Sequence, residues 1–193
     1  MDLTIRGGGS IFGYNQSGGG SVGFEYYGKM VSLAINKQKN IVPLECLVDL
    51  FNPSIPESFL SNEKERAFYY KKIFSSTSVA ELNNIKKSLV SVFGVCVKEV
   101  LLLIQNKTLS LVASKKNISK ISKKEGVVSV YFSINKTDLV IDDVVCLIVD
   151  FFTEKGVDFW FLKSHKNLIF QYKSSGKDDY ILLSSFINKI HFF

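Results

Sequence analysis

Apolar spacing changes character after Asn117, and that change restricts the folds open to this chain. In the stretch 62–114 apolar residues return every three or four positions, the spacing of one face of a helix. Tyr69, Tyr70, Ile73 and Phe74 obey it in one segment, and Leu82, Ile85, Leu89 and Val92 in a second. Val97, Val100, Leu101, Ile104, Thr108, Leu111 and Val112 form a third, over about Val95–Ser114. After Asn117 the residues turn β-branched and aromatic. The runs 127–132, 157–162 and 167–172 read as strands, the last two as a hairpin around Ser164-His165-Lys166. The order implies an α+β fold, with three helices followed by a small sheet and two further helices.

Boundary signals sharpen that reading. Asn62 with Glu65 and Ser78 with Glu81 have the spacing of capping boxes, and Gly94 suits a left-handed helix end. Val140 to Glu154 is expected as a helix stopped by Gly156. Asp178 to Ile190 is expected as the last helix, with Leu183, Phe186, Ile187 and Ile190 inward. Upstream the character differs. Residues 1–23 hold eight of the thirteen glycines, so backbone geometry and outside contacts must hold them rather than a core of their own. A short apolar-periodic stretch from Phe24 to Ile35 follows, and Pro43, Pro53 and Pro56 punctuate what reads as an extended connector. The expected division is a glycine-rich segment over 1–40, a connector over 41–60 and a compact domain over 61–193.

Charge and cysteine content narrow the setting. Lys and Arg outnumber Asp and Glu by 24 to 18, a net charge of +6 that suits a polyanionic partner without naming it. Cys46, Cys96 and Cys146 are too far apart for a metal knuckle, and their odd number argues against a disulfide framework, so a reducing, cytoplasmic setting is expected. No apolar run approaches the length of a membrane span.

Chemical motifs are few. The stretch 23–29 fits G-x-x-x-x-G-K, yet Met30 follows where a hydroxyl should bind Mg²⁺, and three aromatics crowd the loop. The stretch 18–23 fits G-x-G-x-x-G, but no strand precedes it and Pro43 stands where a ribose-binding acid is needed. His165 and His191 lack partners at ligand spacing. Asp142-Asp143 and Asp178-Asp179 lie near expected helix starts, where they complement the dipole. The run 115–124 gathers Lys115, Lys116, Lys120, Lys123 and Lys124. These five are candidate phosphate contacts, or else belong to a connector or edge strand whose lysines prevent aggregation.

The opening residues carry a sharper pattern. Ile5-Arg6-Gly7-Gly8-Gly9 through Gly13 to Gln16-Ser17-Gly18, followed by Val22-Gly23-Phe24 and Tyr27, resembles the translocation motif shared by RecG helicases and bacterial transcription-repair coupling factors. Further on, Ile55-Pro56, Phe59-Leu60, Arg66, Tyr70-Lys71-Lys72-Ile73, Glu81-Leu82 and Phe93-Gly94 resemble landmarks of the coupling factors' small C-terminal domain. RecG lacks this continuation, so the coupling factors are the better match. Ser91-Val92 departs from that family's Asp-Arg pair.

The resemblance implies the C-terminal part of an ATP-driven translocase on double-stranded DNA that releases stalled RNA polymerase and recruits the UvrA damage sensor. It implies that Arg6, Gly7, Gly9, Gly13, Gln16, Ser17 and Gly18 couple ATP-site state to DNA movement. ATP and Mg²⁺ would belong to the parent motor and not to this chain, and no membrane is involved. It further implies that the compact domain docks on the parent's UvrA-binding module and restrains it; the alternative reading is a stand-alone basic module that binds DNA directly.

Overall fold

The computed structural model describes residues 45–51, 53–133, 141–163, 167–176 and 178–191. The glycine-rich segment expected to couple a motor lies outside them. After a short first strand come three helices, α1 (Glu63–Phe74), α2 (Val79–Phe93) and α3 (Lys98–Ser114). α4 (Ile141–Glu154) and α5 (Asp179–Lys189) follow among the strands. Five strands, β1 (Leu47–Asp49), β2 (Ile118–Lys124), β3 (Val127–Ser133), β4 (Phe159–Lys163) and β5 (Asn167–Lys173), form one sheet in the order β1-β2-β3-β5-β4. β1 pairs parallel to β2 and every other pairing is antiparallel. The α+β expectation holds.

The helix ends follow from local chemistry. The Asn62 side chain accepts from the Lys64 N–H at 2.9 Å, and Ser78 Oγ accepts from the Glu81 N–H at 3.2 Å. Glu81 reaches back one residue beyond the cap, accepting from the Thr77 N–H at 2.9 Å. That bond, before any other cause, holds its carboxyl below the ordinary value. Gly94 ends α2 with φ +76°, where a side chain would be strained.

Two apolar clusters share α3. Leu82, Ile85 and Leu89 of α2 meet Tyr69 and Ile73 of α1 and Val100, Leu103, Ile104 and Leu111 of α3. On the other side Leu109 and Ala113 join the sheet core, where Phe152 of α4 packs against Phe170 at 4.5 Å and Phe186 at 5.4 Å between ring centroids. Because α3 is enclosed by both clusters, it is buried nearly all round. A single apolar stripe could not describe it. Val92, expected inward on α2, is 65% exposed.

The remaining buried side of α3 is polar, and it fixes the segment that reads as a connector. Lys107 Nζ donates to both carboxylate oxygens of Glu45 at 2.8 and 2.9 Å, Asn106 Nδ2 donates to the Phe51 carbonyl at 3.0 Å, and Ser110 Oγ donates to the Cys46 carbonyl at 2.6 Å. Residues 45–60 therefore belong to the fold. They supply β1 and the buried Cys46, Leu50, Ile55 and Leu60. Burial pushes the Cys46 thiol up to about 12.

Candidate interaction surface

The basic run forms β2 and its approach, and it is not an edge strand. β1 flanks it on one side and β3 on the other. Ile118 and Ile121, three residues apart, both point into the core because the ladder slips between Ile118 and Lys120. Lys124 pairs with Val127, so Glu125 and Gly126 make a two-residue turn, with φ of +50° and +78°. Positive φ at both positions is what the tight hairpin turn matching strand twist requires.

That geometry separates the five lysines. Lys123 turns toward the helices, where its ammonium lies 2.8 Å from Asp179 Oδ2. Asp179, expected only to complement a helix dipole, is fully buried and also accepts from Ser174 Oγ at 2.6 Å. Lys123 is thus a structural partner of α5 and not free to hold a phosphate. Lys115 is exposed and Lys116 half-buried at the α3–β2 junction. Lys120 and Lys124 project from the other side of the sheet, and the Lys120 ammonium lies 5.5 Å from the Tyr131 ring centre.

Strand register defines that other side. One row across the sheet, Val48, Ile121, Val130, Phe170 and Phe161, packs in the core. The adjoining row, Leu47, Lys120, Tyr131, Ile169 and Leu162, must point the opposite way, as must Asp49, Ser122, Ser129, Gln171 and Trp160. Leu47 is 67% exposed, Leu162 43% and Trp160 38%. Trp160 Nε1 donates to Gln171 Oε1 and Gln171 Nε2 donates to Ser129 Oγ, each at 2.7 Å, so the centre of the face is tied by its own hydrogen bonds. Lys124, Val127 and Lys173 continue this face toward the hairpin turn.

A second surface lies on α2. Asn83, Lys86, Lys87, Val90 and Ser91 recur at helical spacing away from the core and line a groove of about 510 Å³. Val92, near the end of α2, and Val95, just past it, are exposed as well, but Val92 lies on a different side of the helix from this groove.

Several landmark residues read from the sequence make contacts within the helical half. Arg66 Nη1 donates to the Leu60 and Ser61 carbonyls at 2.6 and 3.0 Å, and its Nη2 lies 3.1 Å from Glu57. The Ile55 N–H donates to the Tyr70 hydroxyl oxygen at 2.6 Å. Phe93 meets Phe59 at 5.2 Å and Tyr69 at 6.2 Å between ring centres. These residues join the 55–60 segment to α1 and to the end of α2.

Reactive chemistry is sparse. Among the described residues no group of His, Cys, Asp and Glu could hold a metal ion, and no helix is long and apolar enough to cross a membrane. His191 is exposed and His165 lies outside the described residues, as do Arg6, Gly7, Gly9, Gly13, Gln16, Ser17 and Gly18. The open sheet face was missed in sequence because its members are scattered over five strands. Alternation in 127–133 and 167–173 is the signal that exposes it.

Known proteins resemble this chain over the same region. Residues 51–142 match the TRCF domain family. The transcription-repair-coupling factor of Borreliella burgdorferi is 33% identical over 128 residues, 64% of this chain and 11% of that protein. The Staphylococcus aureus protein of the same name is 28% identical over 152 residues, 75% of this chain and 13% of that protein. The chain thus spans little more than a tenth of the length of these relatives. A crystal structure of the C-terminal domain of transcription-repair coupling factor matches with a TM-score of 0.57 at 13% identity, covering 75% of this chain and 89% of that one. That last likeness is one of fold.

Proposed function

The chain belongs to the TRCF domain family through residues 51–142, and from that premise we propose that it is the regulatory C-terminal part of a transcription-repair-coupling factor. In this reading the parent is an ATP-driven translocase on double-stranded DNA that displaces stalled RNA polymerase. The compact domain docks on the parent's UvrA-binding module and restrains it until repair is engaged. Arg6 and Gln16, with the glycines between them, relay the state of the motor's ATP site.

The observation that carries the regulatory reading is the use made of the landmark residues. Arg66, Tyr70 and Phe93 serve as joints inside the helical half, tying the 55–60 segment to α1 and to the end of α2. The outer face of α2 carries Lys86, Lys87 and the exposed Val90. A mostly polar patch of that kind has the character of an interface rim, which suits a contact that is released and re-bound. Reversing Lys86 and Lys87 to Glu in the parent tests this. UvrA binding should rise while unfolding of the domain is unchanged. Unaltered binding with an intact fold would remove α2 as the docking surface.

A further inference from the structure

Each edge of the sheet carries backbone groups with no strand beside them among the described residues, and the two edges are built differently. β1 is blunted by a length of three residues and by exposed Asp49. β4 is not. It runs Phe159-Trp160-Phe161-Leu162-Lys163 in unbroken register with β5, with no proline, no bulge and no charge before its last position. Those are the devices that keep an edge from pairing with another chain.

The groups left open follow from the ladder. The Lys173 N–H donates to the Asp158 carbonyl at 3.0 Å, which makes Asp158 and Lys173 a hydrogen-bonded pair. Such pairs alternate in an antiparallel ladder, so Trp160 and Leu162 turn their N–H and C=O groups to β5. Phe159, Phe161 and Lys163 turn theirs to the edge. Side chains alternate as well. Phe159 and Phe161 pack against the sheet core, while Trp160 and Leu162 stay exposed on the open face.

We propose that β4 pairs antiparallel with β4 of a second copy of this chain, about a two-fold axis at Phe161, and so joins two five-stranded sheets into one. The strand is its own complement. Its edge-facing residues are centred on Phe161, which exchanges hydrogen bonds with its counterpart while Phe159 exchanges them with Lys163 at each end. On the open face Trp160 of one copy stands directly opposite Leu162 of the other, twice, at the close spacing of non-hydrogen-bonded pairs, so each covers the other. Charge favours this direction. Asp158 precedes the strand and Lys163 ends it, so antiparallel pairing sets the acidic end of one copy against the basic end of the other, and no charged residue faces its own copy. Two such short strands fall below the roughly 1,200 Å² at which stable interfaces begin, which makes the dimer weak and concentration-dependent.

Sedimentation equilibrium of the full 193-residue chain, carried to about 1 mM because the interface is small, tests this together with amide exchange over the same range. Dimers are expected to form as concentration rises. The Phe159 and Phe161 amides should exchange fast when dilute and become protected in the dimer, whereas those of Trp160 and Leu162 are protected throughout. The double variant Trp160→Lys, Leu162→Lys sets like charges opposite one another in both pairs and should associate at least about tenfold more weakly. Both side chains face outward, and an unchanged circular dichroism spectrum confirms that the variant is folded. The exchange pattern is read on the unaltered chain, so the test does not depend on the variant. A chain that stays monomeric to about 1 mM would overturn the proposal and leave the edge to a strand of another protein. Dimers with the Phe159 and Phe161 amides unprotected, or undiminished association of the folded variant, would overturn it as well. The α2 variant described above should dimerise as the unaltered chain does, so the two proposals fail separately.

Discussion

Lys123 Nζ lies 2.8 Å from Asp179 Oδ2 and so ties the middle of the sheet to the first turn of α5, 56 residues away. The Asp179 carboxylate has no solvent exposure, and the Tyr172 hydroxyl stands 3.5 Å from its second oxygen. Burial, and then the neighbouring carboxylate, push the Tyr172 hydroxyl well above its ordinary value. One lysine of the basic run is thereby committed to the fold, which leaves its neighbours on β2 to face outward.

Removing that lysine should be expensive. Lys123→Ala leaves a buried carboxylate without its cation, a change that costs about 3–5 kcal/mol when such pairs are broken. Lys115→Ala, at an exposed position, should stay within about 0.5 kcal/mol. Urea denaturation of both variants checks the contrast, and equal small effects would show that the pair contributes nothing.

The phase of α2 is tested by two truncations. Ile85 is buried in the helical cluster, so Ile85→Ala should cost about 2–5 kcal/mol. Val92→Ala should cost under about 0.5 kcal/mol, although the apolar spacing alone would put it in the core. A large loss at Val92 would mean that another surface covers it.

Those two positions show how far sequence reaches. Spacing located Ile85 because one face of α2 is buried and the other is wet. It misplaced Val92, since a period cannot say where along a helix the covering element stops. For α3 the period was uninformative on Asn106, Lys107 and Ser110, polar residues buried by partners 55 to 64 positions away. The β1 strand was illegible for the same reason. It is three residues long, and its pairing with β2 depends on tertiary contact. Lys123 and Lys124 look alike in sequence, and only strand alternation separates the buried pair from the open face. The turn at Glu125-Gly126 carries one sequence signal, Gly126 just before the β-branched run 127–132, while Glu125 and the basic strand before it hide the hairpin.

Glu81 should make α2 sensitive to acid. Its folded carboxyl titrates below the unfolded value, chiefly through the Thr77 N–H, so it favours the folded state above the unfolded pKa. That contribution is lost as pH falls through the folded value. Glu81→Gln should therefore be less stable than the parent sequence at pH 7, and the difference should vanish in acid. A difference that persists at low pH would show that the charge is not its source.

The glycine-rich segment is tested in the parent motor. Arg6→Ala or Gln16→Ala should leave ATP hydrolysis near normal and abolish movement along DNA, since a guanidinium can hold its partner in one motor state and lose it in the next. Equal loss of both activities would point to damage at the ATP site instead.

The most direct measurement is UvrA affinity of the parent with and without residues 45–193. A domain that covers an interface lowers apparent affinity by the fraction of time the interface is closed, so one seated about 90% of the time would be released with about a tenfold gain. Tighter UvrA binding after deletion is the result expected of a restraining domain. Unchanged or weaker binding, with the shortened parent still hydrolysing ATP, would contradict it.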